Sequence, residues 1–352
     1  MRLVVYGPNR RLGAVEGDRV VDLNAACAAY LTSQGERLAY EMAAATVPDE
    51  LGAFIEAGDR GVEGAQKAVE FVSRGNDSGP SGERLVEALT SVKLHPPYAR
   101  RARIMMAGGN YAIHSLGMSY RSAEGGAPPT LEHVYNEARK RGIWGFYCFP
   151  ENAVGPDEDI IYPSRTDRLD YEGEVAVIIG KQGKDIRAED ADPYLWGCFL
   201  QNDVSARTST IGQDNPLSSF SRGKNFDTSV CAGPYVVIGE FADPQDISWE
   251  TRVNGEVRQR GNTKDMTFSF AEYLEYMSSD MTLLPGDVIS AGTTSGTAHD
   301  SSEIETLPDG RQVRKPDLFL KPGDVVELSN ERMGTLRNRV VAKNPAPLAP
   351  SP

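Results

Sequence analysis

One short block limits what this chain can fold into: two glutamates, Glu172 and Glu174, lead directly into the uncharged apolar run Val175–Ile179. The run is rich in β-branched residues, so it predicts a buried strand. Residues i and i+2 of a strand point to the same face, so the two glutamates project together. Like charges beside a buried strand repel each other and lose hydration, and a bound divalent cation is the simplest group that compensates both effects.

A second block, Cys198–Arg207, supplies another acid, Asp203, at the end of another apolar segment. Three converging carboxylate oxygens suit Mg²⁺ or Mn²⁺, whereas zinc prefers nitrogen and sulfur ligands. The alternative is an exposed strand edge with ordinary solvated charges, which is the commoner state of an isolated pair of this kind. These blocks alone leave both interpretations open.

Composition narrows the class of protein. A chain of 352 residues predicts about two domains. The net charge of −13 and the pI near 4.9 argue against a nucleic-acid partner and favour a soluble, cytoplasmic protein. No apolar run approaches the ~18 residues of a membrane helix, and the N-terminus lacks a signal-peptide pattern. The four cysteines show no CxxC spacing, which predicts reduced thiols and no zinc site.

The sequence pattern along the chain predicts an α+β fold that is mostly β. Residues 1–23 predict an antiparallel meander, and helical texture follows to about residue 76, so residues 1–80 form a predicted small N-terminal domain for packing or subunit contact. The polar stretch Asn76–Glu83 predicts the boundary. Residues 90–343 form a predicted larger, β-rich domain, and residues 344–352 a disordered Pro-rich tail.

A candidate base and an insert follow the predicted strand Ile104–Ala107. Two glycines end that strand, and His114 comes shortly after them; lone histidines are more often structural, but this junction favours a pocket. Within residues 115–150, a mobile loop at Glu124–Pro129 is expected to precede a helix capped by Thr130. The aromatic segment Trp144–Phe149 then completes an insert that is either a lid or a surface excursion.

Two further segments carry candidate binding groups. Lys224 precedes a predicted strand, where it would offset acidic ligands, hold an anionic substrate, or remain a solvated surface group. The loop Gly292–Thr297 is rich in glycine and hydroxyl groups and is suited to binding carboxylate or phosphate through backbone N–H groups. The loop matches no nucleotide-binding pattern.

The order of these blocks resembles the fumarylacetoacetate hydrolase family. The matching stretches cover roughly residues 103–341: GGNYAIH, LDYEGEVAVIIGK, GCFLQNDVSAR, GKNFDTSVCAGPYVV, VNGEVRQ, LLPGDVISAGT and FLKPGDVVELSNERMGTLRNRVV. Their collinearity is far more specific than any one motif. The resemblance implies a catalytic domain built as a mixed β-roll, preceded by the small N-terminal domain that many members carry.

The resemblance also implies the chemistry of the site. Family members use Mg²⁺, Mn²⁺ or Ca²⁺, commonly form homodimers, and act on small keto acids such as those of aromatic catabolism. By resemblance, the metal ligands are Glu172, Glu174 and Asp203, the catalytic residues are His114, Lys224 and Arg207, and the substrate-binding residues are Arg207, Lys224, Thr293 and Tyr111.

Three departures from the family pattern concern the groups that activate water. Gly117 stands where many small members have a glutamate that works with the histidine, and Phe149 and its neighbours replace an FxKP segment. Thr210 stands where the fumarylacetoacetase branch has glutamine. The candidates to replace the missing acid are all in the insert: Glu124, Glu132, His133 and Glu137.

We therefore expect a divalent-metal-dependent hydrolase that cleaves a C–C bond in a small diketo or 2-oxo acid. The alternative is a decarboxylase, dehydratase or isomerase of a 2-oxo acid, which needs a metal-stabilised enolate but no attacking water. Gly117 favours that alternative. A third hypothesis is a catalytically silent binding or scaffold protein, against which the preserved acids argue.

Overall fold

A computed structural model describes residues 1–120, 129–207, 218–239, 243–310 and 312–343. The strands of the first half are β1 (Arg2–Tyr6), β2 (Arg11–Glu16), β3 (Arg19–Asp22), β4 (Val86–Ala88), β5 (Leu94–His95), β6 (Ile104–Ala107), β7 (Gly145–Cys148), β8 (Ala153–Val154), β9 (Asp159–Ile161), β10 (Arg168–Asp170) and β11 (Gly173–Ile179). Those of the second half are β12 (Leu195–Asp203), β13 (Ser205–Arg207), β14 (Val230–Val237), β15 (Ser248–Val253), β16 (Glu256–Asn262), β17 (Val288–Ser290), β18 (Ile304–Thr306), β19 (Gln312–Arg314), β20 (Val325–Asn330) and β21 (Gly334–Val341). The α-helices are α1 (Leu23–Ser33), α2 (Ala39–Thr46), α3 (Leu51–Glu56), α4 (Gly58–Ser73), α5 (Ala112–Tyr120), α6 (Leu131–Arg141), α7 (Phe270–Ser278) and α8 (Ala298–Ser301).

A large mixed sheet carries the acids. Its strand order is β4-β3-β2-β1-β14-β12-β11-β17-β6-β7, with β5 beside β1 and β8 beside β14. The predicted N-terminal meander is confirmed as β1, β2 and β3, and β1 pairs antiparallel with β14, so the meander extends the sheet that holds the acids. The division into domains at residues 1–80 and 90–343 stays a prediction.

Strand β11 lies inside this sheet, between β12 and β17, and is buried along its whole length. Val175, Val177 and Ile179 face a core shared with the second sheet, β16-β15-β20-β21-β9. Ala176 and Ile178 face a second core that includes helices α1 to α4. Because both faces of the strand are covered, its sequence is a continuous apolar run and does not alternate between apolar and polar residues. The fold is thus α+β and mostly β, as predicted.

Local geometry at helix ends and turns confirms the predicted cap of α6. The Thr130 side chain accepts a hydrogen bond from the backbone N–H of His133 and caps α6. Asn254 and Gly255 both have positive φ in the tight turn between β15 and β16, the conformation that a two-residue Asn-Gly hairpin turn requires. The expected loop at Glu124–Pro129 lies mostly, and the expected tail entirely, outside the described residues. Among the helices described, none combines the length and apolarity needed to cross a membrane.

Candidate active site

Strand register brings the three acids to one face of the large sheet. Glu174 on β11 pairs with Gln201 on β12, and Asp203 lies two residues further along β12. The backbone N–H of Asp203 donates to the carbonyl of Glu172 (2.9 Å), so these two residues are also neighbours across the strands. One carboxylate oxygen from each acid lies within 4.8 Å of the others. The convergence expected from the i, i+2 spacing is therefore present.

Burial makes this cluster electrostatically costly, since all three side chains are at most 5% exposed. Burial, with repulsion from Asp203 and Glu172, raises the pKa of Glu174 well above its usual range. Burial also raises the pKa of Asp203 to about 6. Burial alone would raise the pKa of Glu172 too, but Arg207 and Lys224 outweigh it and hold that pKa below its usual range. Without a cation, burial and mutual repulsion therefore disfavour the charged forms of Glu174 and Asp203, because Arg207 and Lys224 do not offset all three acids.

The donor set fits a hard divalent cation. Within the described residues, Oδ1 of Asp203 is buried and has no hydrogen-bond partner, so it is available as a ligand atom. All three groups are carboxylates, which Mg²⁺ and Mn²⁺ prefer. A cation bound to the three oxygens would offset the repulsion that raises the pKa values of Glu174 and Asp203.

Lys224 and Arg207 pair with the acids. Nζ of Lys224 lies 2.5 Å from Oε2 of Glu172 and 2.6 Å from Oδ2 of Asp203, and this lysine is only 4% exposed. Arg207 on β13 contacts Glu172 and lies 3.1 Å from Oδ2 of Asp170 on β10. Both predicted cations are therefore in the site, where they neutralise carboxylates of the protein.

His114 lies on α5 beside the acids and has a carboxylate partner of its own. Its Nδ1 is 2.8 Å from Oδ2 of Asp300 on α8, and its Nε2 is 3.9 Å from Oε1 of Glu172. The backbone N–H of Gly296 and the hydroxyl of Ser301 donate to the other oxygen of Asp300. An ionised carboxylate only accepts hydrogen bonds, so Asp300 favours a proton on Nδ1 and leaves the basic lone pair on Nε2, toward the acids.

Asp300 is a site residue that the sequence alone did not predict, and so is the pocket-lining Arg141. Among the candidates for the missing acid, Glu132 is exposed, His133 and Glu137 line the pocket, and Glu124 lies outside the described residues. The sequence feature that points to Asp300 is the glycine at position 117, because a Cβ at that position would lie 2.9 Å from the Cβ of Asp300. Glycine at 117 leaves the space that α8 occupies.

Thr293 lines the pocket, whereas Tyr111 does not. The hydroxyl of Thr293 donates to the carbonyl of Gly173 (2.9 Å) and accepts from Gln259 (2.8 Å). Tyr111 is fully buried in the core, with its ring edge-on to Trp249. Thr210 lies outside the described residues. The predicted residues that the structure brings together are His114, Glu172, Glu174, Asp203, Arg207, Lys224 and Thr293.

The acids open into a pocket of about 370 Å³, and the insert supplies much of its wall. Helix α6 contributes a stripe of residues at helical spacing, and three aromatic side chains also line the pocket. These lining residues are His133, Val134, Glu137, Ala138 and Arg141 from α6, with Trp144, Phe146 and Phe220. The insert therefore borders the site, and its closure as a lid stays a prediction.

Comparison with known proteins agrees with this geometry. The profile described as "Fumarylacetoacetate (FAA) hydrolase C-terminal" matches residues 103–341. The chain is 32% identical to the oxaloacetate tautomerase YisK of Bacillus subtilis (strain 168), over 93% of this chain and 94% of that protein. It is 31% identical to the mitochondrial oxaloacetate tautomerase FAHD2A of Bos taurus, over 97% of this chain and 92% of that protein.

Solved structures give the same relationship. The fumarylacetoacetate hydrolase of Exiguobacterium antarcticum superposes with a TM-score of 0.64 at 28% identity, covering 97% of this chain and all of that one. The 5-carboxymethyl-2-hydroxymuconate delta-isomerase of Mycobacterium smegmatis gives a TM-score of 0.61 at 25% identity, with the same coverage. The relatives include isomerases, tautomerases and hydrolases of oxo acids. The profile match, the shared fold and the collinear motifs together place this chain in the fumarylacetoacetate hydrolase family.

Proposed function

We propose that this chain is a divalent-metal-dependent tautomerase of a small 2-oxo acid of the oxaloacetate type. One observation carries the proposal: His114 is paired with Asp300 so that its Nε2 faces the carboxylate cluster. Enolisation needs one group that moves a proton and one centre that stabilises the enolate oxygen; His114 would be the first, and a cation held by the adjacent acids would be the second. Two relatives that span more than 90% of the chain are named oxaloacetate tautomerases, which supports this choice.

Each site residue has a separate role in the proposed reaction. Nε2 of His114 takes the proton from the carbon next to the keto group, and the C–H electron pair becomes the C=C bond of the enolate. The imidazolium then returns that proton to the enolate oxygen, which yields the enol. Asp300 stabilises the positive charge that the ring carries between these steps. A bound Mg²⁺ or Mn²⁺ would polarise the keto group and stabilise the enolate; its ligands would be Glu172, Glu174 and Asp203.

The charges around the pocket support a substrate with two carboxylates. Lys224 and Arg207 are committed to the protein's own acids. Within the described residues, Arg141 on α6 is the one arginine or lysine that lines the pocket and forms no ion pair. A carboxylate held near the acids, where Thr293 lies, would leave the second carboxylate facing Arg141. This arrangement would favour a dicarboxylic oxo acid over a monocarboxylic one.

C–C bond hydrolysis is the second candidate, because the same pair could orient a water molecule. In that reaction Nε2 of His114 would remove a proton from water as it attacks the second carbonyl of a diketo acid. The relative of known structure named fumarylacetoacetate hydrolase keeps this candidate open. The homodimer and the cytoplasmic location predicted from the sequence remain proposals in either case.

Solvent isotopes separate these candidates. The purified protein is incubated with oxaloacetate in D₂O and with a diketo acid in ¹⁸O-water, each with Mn²⁺ and with EDTA. A tautomerase speeds interconversion of keto and enol oxaloacetate and deuterium uptake next to the keto group, and EDTA abolishes both effects. Solvent ¹⁸O in a new carboxylate, without faster enolisation, would establish the hydrolase. Binding without turnover of either substrate would favour a silent binding protein.

A further inference from the structure

We propose that three buried side chains, Tyr98, Gln201 and Ser290, position Glu174 and thereby set the affinity of the site for its divalent cation. We refer to these three residues as the polar row. The proposal rests on the metal site of the proposed function and goes beyond it, because it assigns a role to residues outside the carboxylate cluster and outside the pocket lining.

Strand register explains why the polar row meets Glu174. Gln201 on β12 lies directly opposite Glu174, and Ser290 on β17 lies opposite Ala176, two residues along β11. Directly paired residues share a face, as do residues i and i+2, so both side chains lie on the face of the acid. Tyr98 reaches the same place from the segment before β6, with its ring edge-on to Phe199.

A chain of hydrogen bonds runs along the polar row to Glu174, and Nε2 of Gln201 also donates to Sδ of Met106 (3.2 Å). The hydroxyl of Tyr98 donates to Oε1 of Gln201, and Nε2 of Gln201 donates to the hydroxyl oxygen of Ser290 (3.0 Å). The hydroxyl of Ser290 then donates to Oε2 of Glu174. A carboxylate that binds a cation is ionised and accepts only, so in the cation-bound site Ser290 donates to Glu174, and Gln201 offers its amide nitrogen to Ser290 and its oxygen to Tyr98. The donor directions of the row therefore match the acceptor-only carboxylate that a cation ligand at Glu174 must be.

This arrangement acts on the metal site through orientation. With Oε2 held by Ser290, the Glu174 carboxylate cannot rotate freely, so its other oxygen keeps one position relative to Glu172 and Asp203. Metal ligands are commonly held by such partners, and removing one typically costs about 10- to 100-fold in metal affinity. A polar row that served core packing alone would leave metal affinity unchanged.

Manganese affinity of the full chain, measured by isothermal titration calorimetry, tests the proposal. We expect Ser290→Ala to weaken Mn²⁺ binding by about 10-fold or more, and Tyr98→Phe to weaken it by a smaller factor. Tyr6→Phe is the matched control, since it removes another buried tyrosine hydroxyl, which donates to Asp22 (2.9 Å) far from the acids. This control should bind Mn²⁺ like the unmodified protein, while thermal unfolding shows how much stability each substitution removes.

The results distinguish failure of this inference from failure of the proposed metal-dependent function. If the unmodified chain binds Mn²⁺ and both Ser290→Ala and Tyr98→Phe bind it equally well, the polar row is structural only and this inference is wrong. If the unmodified chain binds no Mn²⁺, the metal-dependent function itself fails. Should Ser290→Ala not fold, Tyr98→Phe still decides, because it lies at the far end of the row and removes a single oxygen.

Discussion

Gly117 and Asp300 are in direct contact: a Cβ added to the glycine would lie 2.9 Å from the Cβ of the aspartate. The carboxylate of Asp300 in turn lies 2.8 Å from Nδ1 of His114. The position at which many family members carry the histidine's partner is thus empty of side chain, and an acid from α8 occupies the freed space. The glycine and the aspartate form one structural unit.

Asp300→Asn should lower kcat by roughly 100-fold, because an amide cannot stabilise the imidazolium charge that develops on His114. Mn²⁺ affinity and the temperature of unfolding should change little, since Asp300 does not contact the acids. Glu132→Gln is the control: this acid is exposed on α6 and absent from the pocket wall, so its kcat should be unaffected. Equal losses in the two variants would contradict the assignment of Asp300.

Gly117→Ala tests the contact through opposing effects on the free energy of unfolding. Alanine in a helix interior is more favourable than glycine by about 0.5–1 kcal/mol, whereas forcing a methyl group into a filled space costs about 1–3 kcal/mol. We expect net destabilisation in the unmodified chain. In an Asp300→Gly background the contact is gone, so the same substitution should stabilise the protein in denaturant unfolding. The same sign in both backgrounds would exclude the contact.

The carboxylate cluster was predictable because its causes are local. Alternation along a strand places Glu172 and Glu174 on one face, and the apolar run that follows marks the strand as buried. Asp203 joins this cluster through the pairing of β11 with β12. The family resemblance supplied the order of these segments. The cap of α6 was similarly predictable from a few adjacent residues.

The partners of the site residues were not predictable in this way. Asp300 lies 186 residues from His114, and nothing in its own segment marks it as a site residue. That Lys224 and Arg207 pair with buried acids depends on where a loop and a short strand pack, which no local pattern encodes. Tyr111 shares a motif with His114, yet its ring points into the core.

Lys224→Met tests how far Lys224 neutralises the negative charge of the buried acids. Nζ of Lys224 contacts both Glu172 and Asp203, and removing one partner of a buried ion pair typically costs about 3–5 kcal/mol. We expect the variant to unfold at a lower temperature in EDTA. Mn²⁺ should raise its unfolding temperature by more than that of the unmodified chain, because the cation then supplies the missing positive charge.

Lys181→Met is the matched control for this substitution. Lys181 is exposed and lies over the ring of Tyr194, away from the acids, so its response to Mn²⁺ should equal that of the unmodified chain. An unchanged unfolding temperature for Lys224→Met in EDTA would show that the lysine does not neutralise the cluster.

Arg141→Gln tests whether the pocket selects a second carboxylate. Arg141 lines the pocket without a carboxylate partner among the described residues, and a hydrogen bond to a charged group contributes about 1.5–3 kcal/mol. The KM for oxaloacetate should therefore rise by about 10-fold or more with little change in kcat, as expected when ground-state and transition-state binding weaken together. The KM for 2-oxobutanoate, which lacks the distal carboxylate, should not change.

Lys140→Gln provides the comparison for Arg141→Gln. Lys140 is the adjacent residue on α6, is exposed, and pairs with Glu137 at 2.7 Å. Its replacement by glutamine removes one positive charge from the same helix but no group from the pocket wall. If the two variants raise the KM for oxaloacetate equally, the effect is a long-range one of net charge. If Arg141→Gln raises the KM for both substrates equally, Arg141 supports the shape of the pocket and does not read the second carboxylate. Loss of discrimination between the two acids in Arg141→Gln alone would identify the substrate as a dicarboxylate.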